Sequence, residues 1–191
     1  MNLQQAYYNK CFRVCFLESK GDAFQTFFER LMGLAFPGDF MPCRPWGRQG
    51  DEKNDGFLPS DRTLYQVYAP NEMAAASAVA KIQADFAGAK VHWEQYLDKW
   101  AFVHNADNGL SPNVQKALLT LREKNPTLTL ETWGYPELER LFDRLSLTQL
   151  AHWFGPAPTD SDKRALKFDD LQAVLLNIEN RPNPATTEIR D

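Results

Sequence analysis

The chain has 191 residues with a formal net charge of −4 and a sequence pI of about 5.4. That is length for one sizeable core, and a composition of 43% hydrophobic and 24% charged residues excludes a disordered or low-complexity chain. No apolar run approaches the ~20 residues a membrane-spanning helix needs, and the acidic balance excludes a global basic footprint for nucleic acid, so any such contact must come from a local patch or a metal ion.

In chain order, Tyr7, Tyr8, Cys11, Phe12, Cys15 and Phe16 recur at helical spacing and predict a helix over residues 3–17. The first residues lack a signal-peptide pattern, which with the three cysteines reads as a reduced, cytoplasmic protein. Cys11 and Cys15 share a helix face and could join Cys43 and a histidine around zinc, but the paired short spacing of a zinc site is absent; buried thiols are the simpler reading. Gly21 breaks the first helix, Asp22 is a plausible N-cap for a second, and Phe24, Phe27, Phe28, Leu31 and Met32 give that helix a broad apolar face up to Phe36-Pro37-Gly38.

The texture then turns to strands. Residues 40–46 read as an edge or bulged strand because Pro42 and Pro45 interrupt it, and residues 55–58 and 63–68 as two strands joined at Pro59-Ser60-Asp61. Asn71 is positioned to cap a long helix over 71–97, alanine-rich in its first half and open to interruption at Gly88. Residues 99–105 form a compact strand, 112–124 a helix capped by Ser111, 128–133 a strand, and 136–144 and 147–154 two short helices. The expectation is an α/β fold with a mixed central sheet flanked by helices, whose informative part is the order αβββαβ. The domain spans 1–155, with a core over 21–105 and a helical extension over 106–155; residues 156–191 read as a linker and a short helix over 168–178, leading into a further domain of a longer protein.

Three short motifs fall inside that order: Phe27-Phe28-Glu29-Arg30-Leu31 on a helix, Gly50-Asp51-Glu52-Lys53-Asn54-Asp55-Gly56 opening a strand, and Tyr65-Gln66-Val67-Tyr68 on the next strand. Together they resemble the Mrr-like branch of the PD-(D/E)XK nuclease superfamily, which carries Phe-Glu, Gly-Asp-x-x-x-Asp-Gly and Gln-x-Lys at these places. The resemblance implies a restriction-endonuclease-like core and a metal-dependent DNA endonuclease. Asp55 is then the main ligand of Mg²⁺ or Mn²⁺, the Gln66 amide oxygen a second, and Glu29 a carboxylate acting through water. Such modules serve as effectors in bacterial anti-phage defence, joined to partner proteins or further domains, with homo-oligomers possible. One position departs from the pattern: Tyr68 stands where the family has its lysine. Lys81 on the following helix is the better candidate to replace that charge, and Lys99 the other.

Each of these residues has a structural reading as well. Asp51 and Asp55 suit a polar turn, Glu29 a salt bridge at a helix edge, and Gln66 a buried hydrogen bond. Arg44 and Arg48 flank the acidic loop beside Trp46, and Arg62 extends the same rim; these arginines either hold nucleic acid or lie over the tryptophan. His104 and Glu131 have weaker claims to chemistry. With the lysine displaced, a catalytically silent nuclease fold used for protein–protein interaction is the alternative function.

Overall fold

The computed structural model describes residues 3–44, 52–159 and 161–162. The elements follow the expected order: α1 (Leu3–Glu18), α2 (Gly21–Ala35), β1 (Met41–Pro42), β2 (Gly56–Leu58), β3 (Thr63–Tyr68), α3 (Ala75–Trp93), β4 (Lys99–His104), α4 (Pro112–Lys124), β5 (Thr129–Trp133), α5 (Tyr135–Phe142) and α6 (Leu147–Phe154). The fold is α/β, with one five-stranded mixed sheet in the order β1-β2-β3-β4-β5. The β1–β2 and β2–β3 pairs are antiparallel, whereas β3–β4 and β4–β5 are parallel, with Gln66 opposite Phe102 and Tyr68 opposite His104. The change of direction is a matter of connection length. A three-residue 3₁₀ turn, Pro59–Asp61, joins β2 to β3, whereas the β3–β4 connection contains all of α3, as a parallel crossover requires.

Strand alternation sends side chains of β3 and β4 to opposite faces, and different helices cover each. On one face Tyr65, Ala101 and Val103 pack with Tyr8, Phe12 and Phe16 of α1, the Phe24–Phe27–Phe28 group of α2, and Leu138, Leu141, Phe142 and Leu150 of α5 and α6. Phe12 stacks on Phe142 at 4.4 Å between centroids and lies 5.3 Å from Phe27, so three helices share one aromatic contact. On the other face Leu64, Trp100, Phe102 and Leu130 meet Ala78, Ile82, Phe86 and Ala89 of α3 and Val114 and Leu118 of α4. The alanines of α3 let its backbone approach the sheet closely.

Several local expectations need correction. Asp22 is not an N-cap: Lys20 holds that position, and Asp22 lies exposed in the first turn of α2. The strand over 40–46 reduces, among the described residues, to Met41–Pro42 on the sheet edge. Asn71 does not start α3, whose cap position is Ala74. The preceding backbone is tied down instead, since the Asn105 side-chain amide donates to the Pro70 carbonyl at 3.3 Å. Gly88 does not interrupt α3. Its missing side chain makes room for the Lys53 stem, because a Cβ there falls 2.5 Å from Lys53 Cγ. Ser111 occupies the cap position of α4, but its buried hydroxyl caps nothing. The 168–178 segment lies outside the described residues, and no helix among those described is long and apolar enough to cross a membrane.

Candidate active site

The β2–β3 ladder ends at Gly56 opposite Tyr65. Just beyond it, Asp55 continues the pairing partly with its backbone and partly with its side chain. Its N–H donates to the Tyr65 carbonyl at 3.0 Å, and its Oδ2 accepts the Val67 N–H at 2.7 Å. The same oxygen accepts a short hydrogen bond from Gln66 Nε2. A carboxylate thus takes a place in the sheet that a carbonyl ordinarily fills, and β2 and β3 part around it.

The approach to Asp55 is a built turn. Glu52 and Lys53 both adopt left-handed φ, at 49° and 62°, a conformation that non-glycine residues hold only when their surroundings enforce it. Here the enforcing contacts are the Trp93 indole, which donates to the Glu52 carbonyl at 3.1 Å, and the Lys53 stem against Gly88. The Asn54 side chain then accepts the Gly56 N–H at 2.8 Å and closes an Asx turn. Gly56 is required by close approach, since a Cβ at this position falls 2.5 Å from the tip of the Phe40 ring.

Where the strands part, a cleft of about 260 Å³ opens. Its walls are Gly21, Asp22 and Gln25 at the start of α2, Asp55, the end of β3 from Gln66 to Pro70, and Lys81 of α3. The Gly21 N–H donates to the Ala69 carbonyl at 2.6 Å and fixes the start of α2 against this end of β3. Gln66 is 2% exposed and shares the α3-facing side of β3 with Leu64 and Tyr68. Its Oε1 is buried with no hydrogen-bond partner among the described residues. A buried amide oxygen left unpaired costs about 1–3 kcal/mol, so its retention asks for an explanation. Tyr68 lines the cleft, and its ring lies 6.2 Å from that of Phe102.

The structure thus brings Asp55, Gln66 and Lys81 into one cleft and places the other sequence candidates elsewhere. Glu29 does not line it; its carboxylate pairs with Arg44 at 2.9 Å and accepts from Gln25 Nε2 at 3.1 Å, so it touches the cleft only through Gln25. Arg44 is spent on that pair and on a 3.0 Å bond to Thr26. Arg62 is not on the same rim. It precedes β3 at the strand's far end, bound to Asp98 at 2.8 Å and to the Gln95 carbonyl at 2.7 Å. Lys99 is at that far end too, paired with Asp61. Arg48, Trp46 and Asp51 lie outside the described residues.

Two participants escaped the sequence reading. Asp22, assigned to a cap, is the second carboxylate of the cleft. Asp85 lies behind the cleft, fully buried, with Lys81 Nζ at 2.7 Å and Lys53 Nζ at 3.2 Å from its two oxygens. Its signal was legible: Ala78, Ile82, Asp85, Phe86 and Ala89 form one stripe at helical spacing, and an acid within an apolar stripe is out of place.

Two of the larger cavities lie elsewhere. One, of about 490 Å³, opens at the carboxyl ends of β4 and β5 beside His104. Burial lowers the His104 pKa to about 4, and its Nδ1 accepts the Ala106 N–H at 3.2 Å, so the imidazole is neutral with its proton on Nε2. The neighbouring Glu137 is occupied in capping Gly134 and pairing with Arg140. The other, of about 620 Å³, runs along β5, where Arg122, Arg140 and Arg144 face Asp61, Glu131 and Glu137 and the charges offset one another. Burial, with Glu131 nearby, raises the Tyr65 hydroxyl far above the usual tyrosine range, so it stays protonated. Cys11, Cys15 and Cys43 are half-buried and in no disulfide, and no group of three or more His, Cys, Asp and Glu side chains among the described residues is arranged to hold a metal.

No family model, curated protein or solved structure matches this chain.

Proposed function

We propose that this chain is a metal-dependent endonuclease module that hydrolyses phosphodiester bonds in DNA, on a restriction-endonuclease-like core formed by α2, β1, β2, β3, α3 and β4. The observation that carries the reading is the unpaired, buried Oε1 of Gln66 in the cleft that also holds Asp55 and Lys81. These donors fit a magnesium ion, which takes oxygen ligands, commonly one or two carboxylates, and keeps several waters. Asp55 and the Gln66 amide oxygen are the ligands from the chain, with Asp22 a second carboxylate in reach of the same space. When bound, the ion lowers the pKa of a water and offsets charge on the phosphoryl oxygens.

The side chains divide the remaining work. The Val67 N–H and the Gln66 amide hold the Asp55 carboxylate in one orientation. Lys81 supplies, from α3, the positive charge that Tyr68 lacks, and its ammonium serves a phosphate oxygen as a point charge with three donors. Tyr68 walls the cleft, and its hydroxyl can donate one hydrogen bond. The acidic net charge does not oppose this arrangement, since a bound cation offsets the local carboxylates. A role as effector in bacterial anti-phage defence, with a partner protein or further domains, belongs to the same proposal and rests on the motif resemblance.

The test is cleavage of plasmid and linear DNA with Mg²⁺ or Mn²⁺. Asp55→Ala is expected to lower the rate about a hundredfold or more while the protein stays folded by circular dichroism. Cleavage unchanged in that variant removes the mechanism. The second reading, a silent nuclease fold that binds a partner protein, is favoured by Tyr68 and by the engagement of Lys81 with Asp85. It predicts no heat of Mn²⁺ binding by titration calorimetry, in the wild type or in Asp55→Ala.

A further inference from the structure

Asp85 is 0% exposed, and neither of its oxygens accepts a hydrogen bond of regular geometry among the described residues. Its partners are two ammonium groups, Lys81 at 2.7 Å and Lys53 at 3.2 Å. Burying a carboxylate in an apolar stripe costs several kcal/mol before any partner is counted, and a leucine or alanine there would extend the stripe at no such cost. A charge kept in this place must fix something. Its two partners show what: Lys81 belongs to the wall of the cleft, and Lys53 belongs to the turn that presents Asp55. One buried carboxylate therefore ties the helix carrying the cation to the loop carrying the acid.

Lysine loses much rotamer freedom when held, and an i,i+4 pair on an exposed helix recovers only ~0.3–0.5 kcal/mol, whereas here the acceptor is removed from water and cannot be satisfied by solvent. Lys81 is half-buried, with 36% of its side chain exposed, so its ammonium is held by Asp85 while its surface remains open to the cleft.

We propose that Asp85 is a positioning residue that fixes the Lys81 ammonium at the phosphate side of the cleft, in place of the lysine that Tyr68 displaces. The proposal rests on the nuclease reading for its purpose, but not for its geometry. Asp85 and Lys53 do not line the cleft, so Asp85 acts through Lys81 and touches no substrate.

The test uses the whole chain with ¹⁵N-labelled lysine, the Lys81 Nζ signal being assigned by its loss in Lys81→Arg. In the wild type the Lys81 ammonium is expected to show an order parameter well above that of Lys116, which is exposed on α4. Asp85→Asn, nearly the same shape without the charge, is expected to bring Lys81 to the Lys116 level. With Mn²⁺ and DNA, the same variant should lower kcat about tenfold to a hundredfold and leave KM within about threefold. A Lys81 ammonium as mobile as Lys116 in the wild type overturns the proposal even if Asp85→Asn does not fold. So does a folded Asp85→Asn protein that cuts at the wild-type rate, which would leave Asp85 a purely structural group. If the wild type cuts no DNA with either metal, the nuclease reading falls, and the wild-type mobility still decides whether Asp85 holds Lys81.

Discussion

The two ends of β3 carry the same kinds of residue and use them differently. At its amino end Asp61 pairs with Lys99 and Arg62 with Asp98, all at least one-third exposed on their side chains save Lys99 at 32%. At its carboxyl end Asp55 and Gln66 are under 10% exposed, and Asp85, one layer behind, is closed to solvent. Water at the first end screens each charge and supplies alternative partners, so any single pair there is dispensable. At the second end water is excluded, and each polar atom has the partners the fold provides or none. The contrast separates ion pairs that decorate a strand turn from polar groups that are held for a purpose.

The largest effect is expected at Asp85. Removing both of its cations in the Lys53→Met, Lys81→Met double variant leaves a buried carboxylate alone, and a loss of about 3–5 kcal/mol of stability is expected in urea unfolding. A loss below about 1 kcal/mol would show that the carboxylate is not closed to water after all.

His104, at the same end of the sheet opposite Tyr68, gives the next effect. Its pKa is lowered by burial to about 4, against an ordinary value near 6.5 in the unfolded chain. A depressed histidine contributes its full stability above the unfolded value and loses it as pH falls toward the folded one. Stability should therefore drop by about 3 kcal/mol between pH 6.5 and 4 from this group alone. Thermal unfolding across that range checks it, and His104→Gln should flatten the profile.

The smallest effect belongs to the amino end. Asp61→Asn removes the partner of Lys99, and a change under about 1 kcal/mol is expected, shrinking further in high salt. A larger loss would place Asp61 among the held groups and erase the contrast between the two ends.

Much of this architecture was legible beforehand because periodicity reports burial. Phe24, Phe27, Phe28, Leu31 and Met32 marked the inner face of α2, and β3, β4 and α4 appear close to the expected bounds. Asp55 and Gln66 were singled out as one unit, and the structure places them in hydrogen-bond contact. The start of α3 was misplaced: Asn71 is a good cap by type, but the helix starts at Ala75, and the Pro70 carbonyl is bound by the Asn105 side chain, some 35 positions away. Glu29 was grouped with the cleft through the motif resemblance, and Arg62 as an extension of the rim beside the acidic loop. The pairs that claim them, Glu29 with Arg44 and Arg62 with Asp98, are set by contacts that local spacing does not encode.

Local pattern was enough to read the α/β order, the place of Asp55 at the entry to β2 and that of Gln66 on β3. Only the tertiary structure decided that Lys81, rather than Lys99, shares their cleft. The two lysines lie on consecutive elements, but a parallel crossover puts the start of β4 beside Thr63 and the second turn of α3 beside the other end of β3. It also decided the standing of Asp85: on an exposed helix it is one more i,i+4 partner, and against the sheet it becomes a carboxylate whose charge two lysines must answer. The physical reason is that charge has meaning only with its dielectric, and the dielectric is fixed by packing.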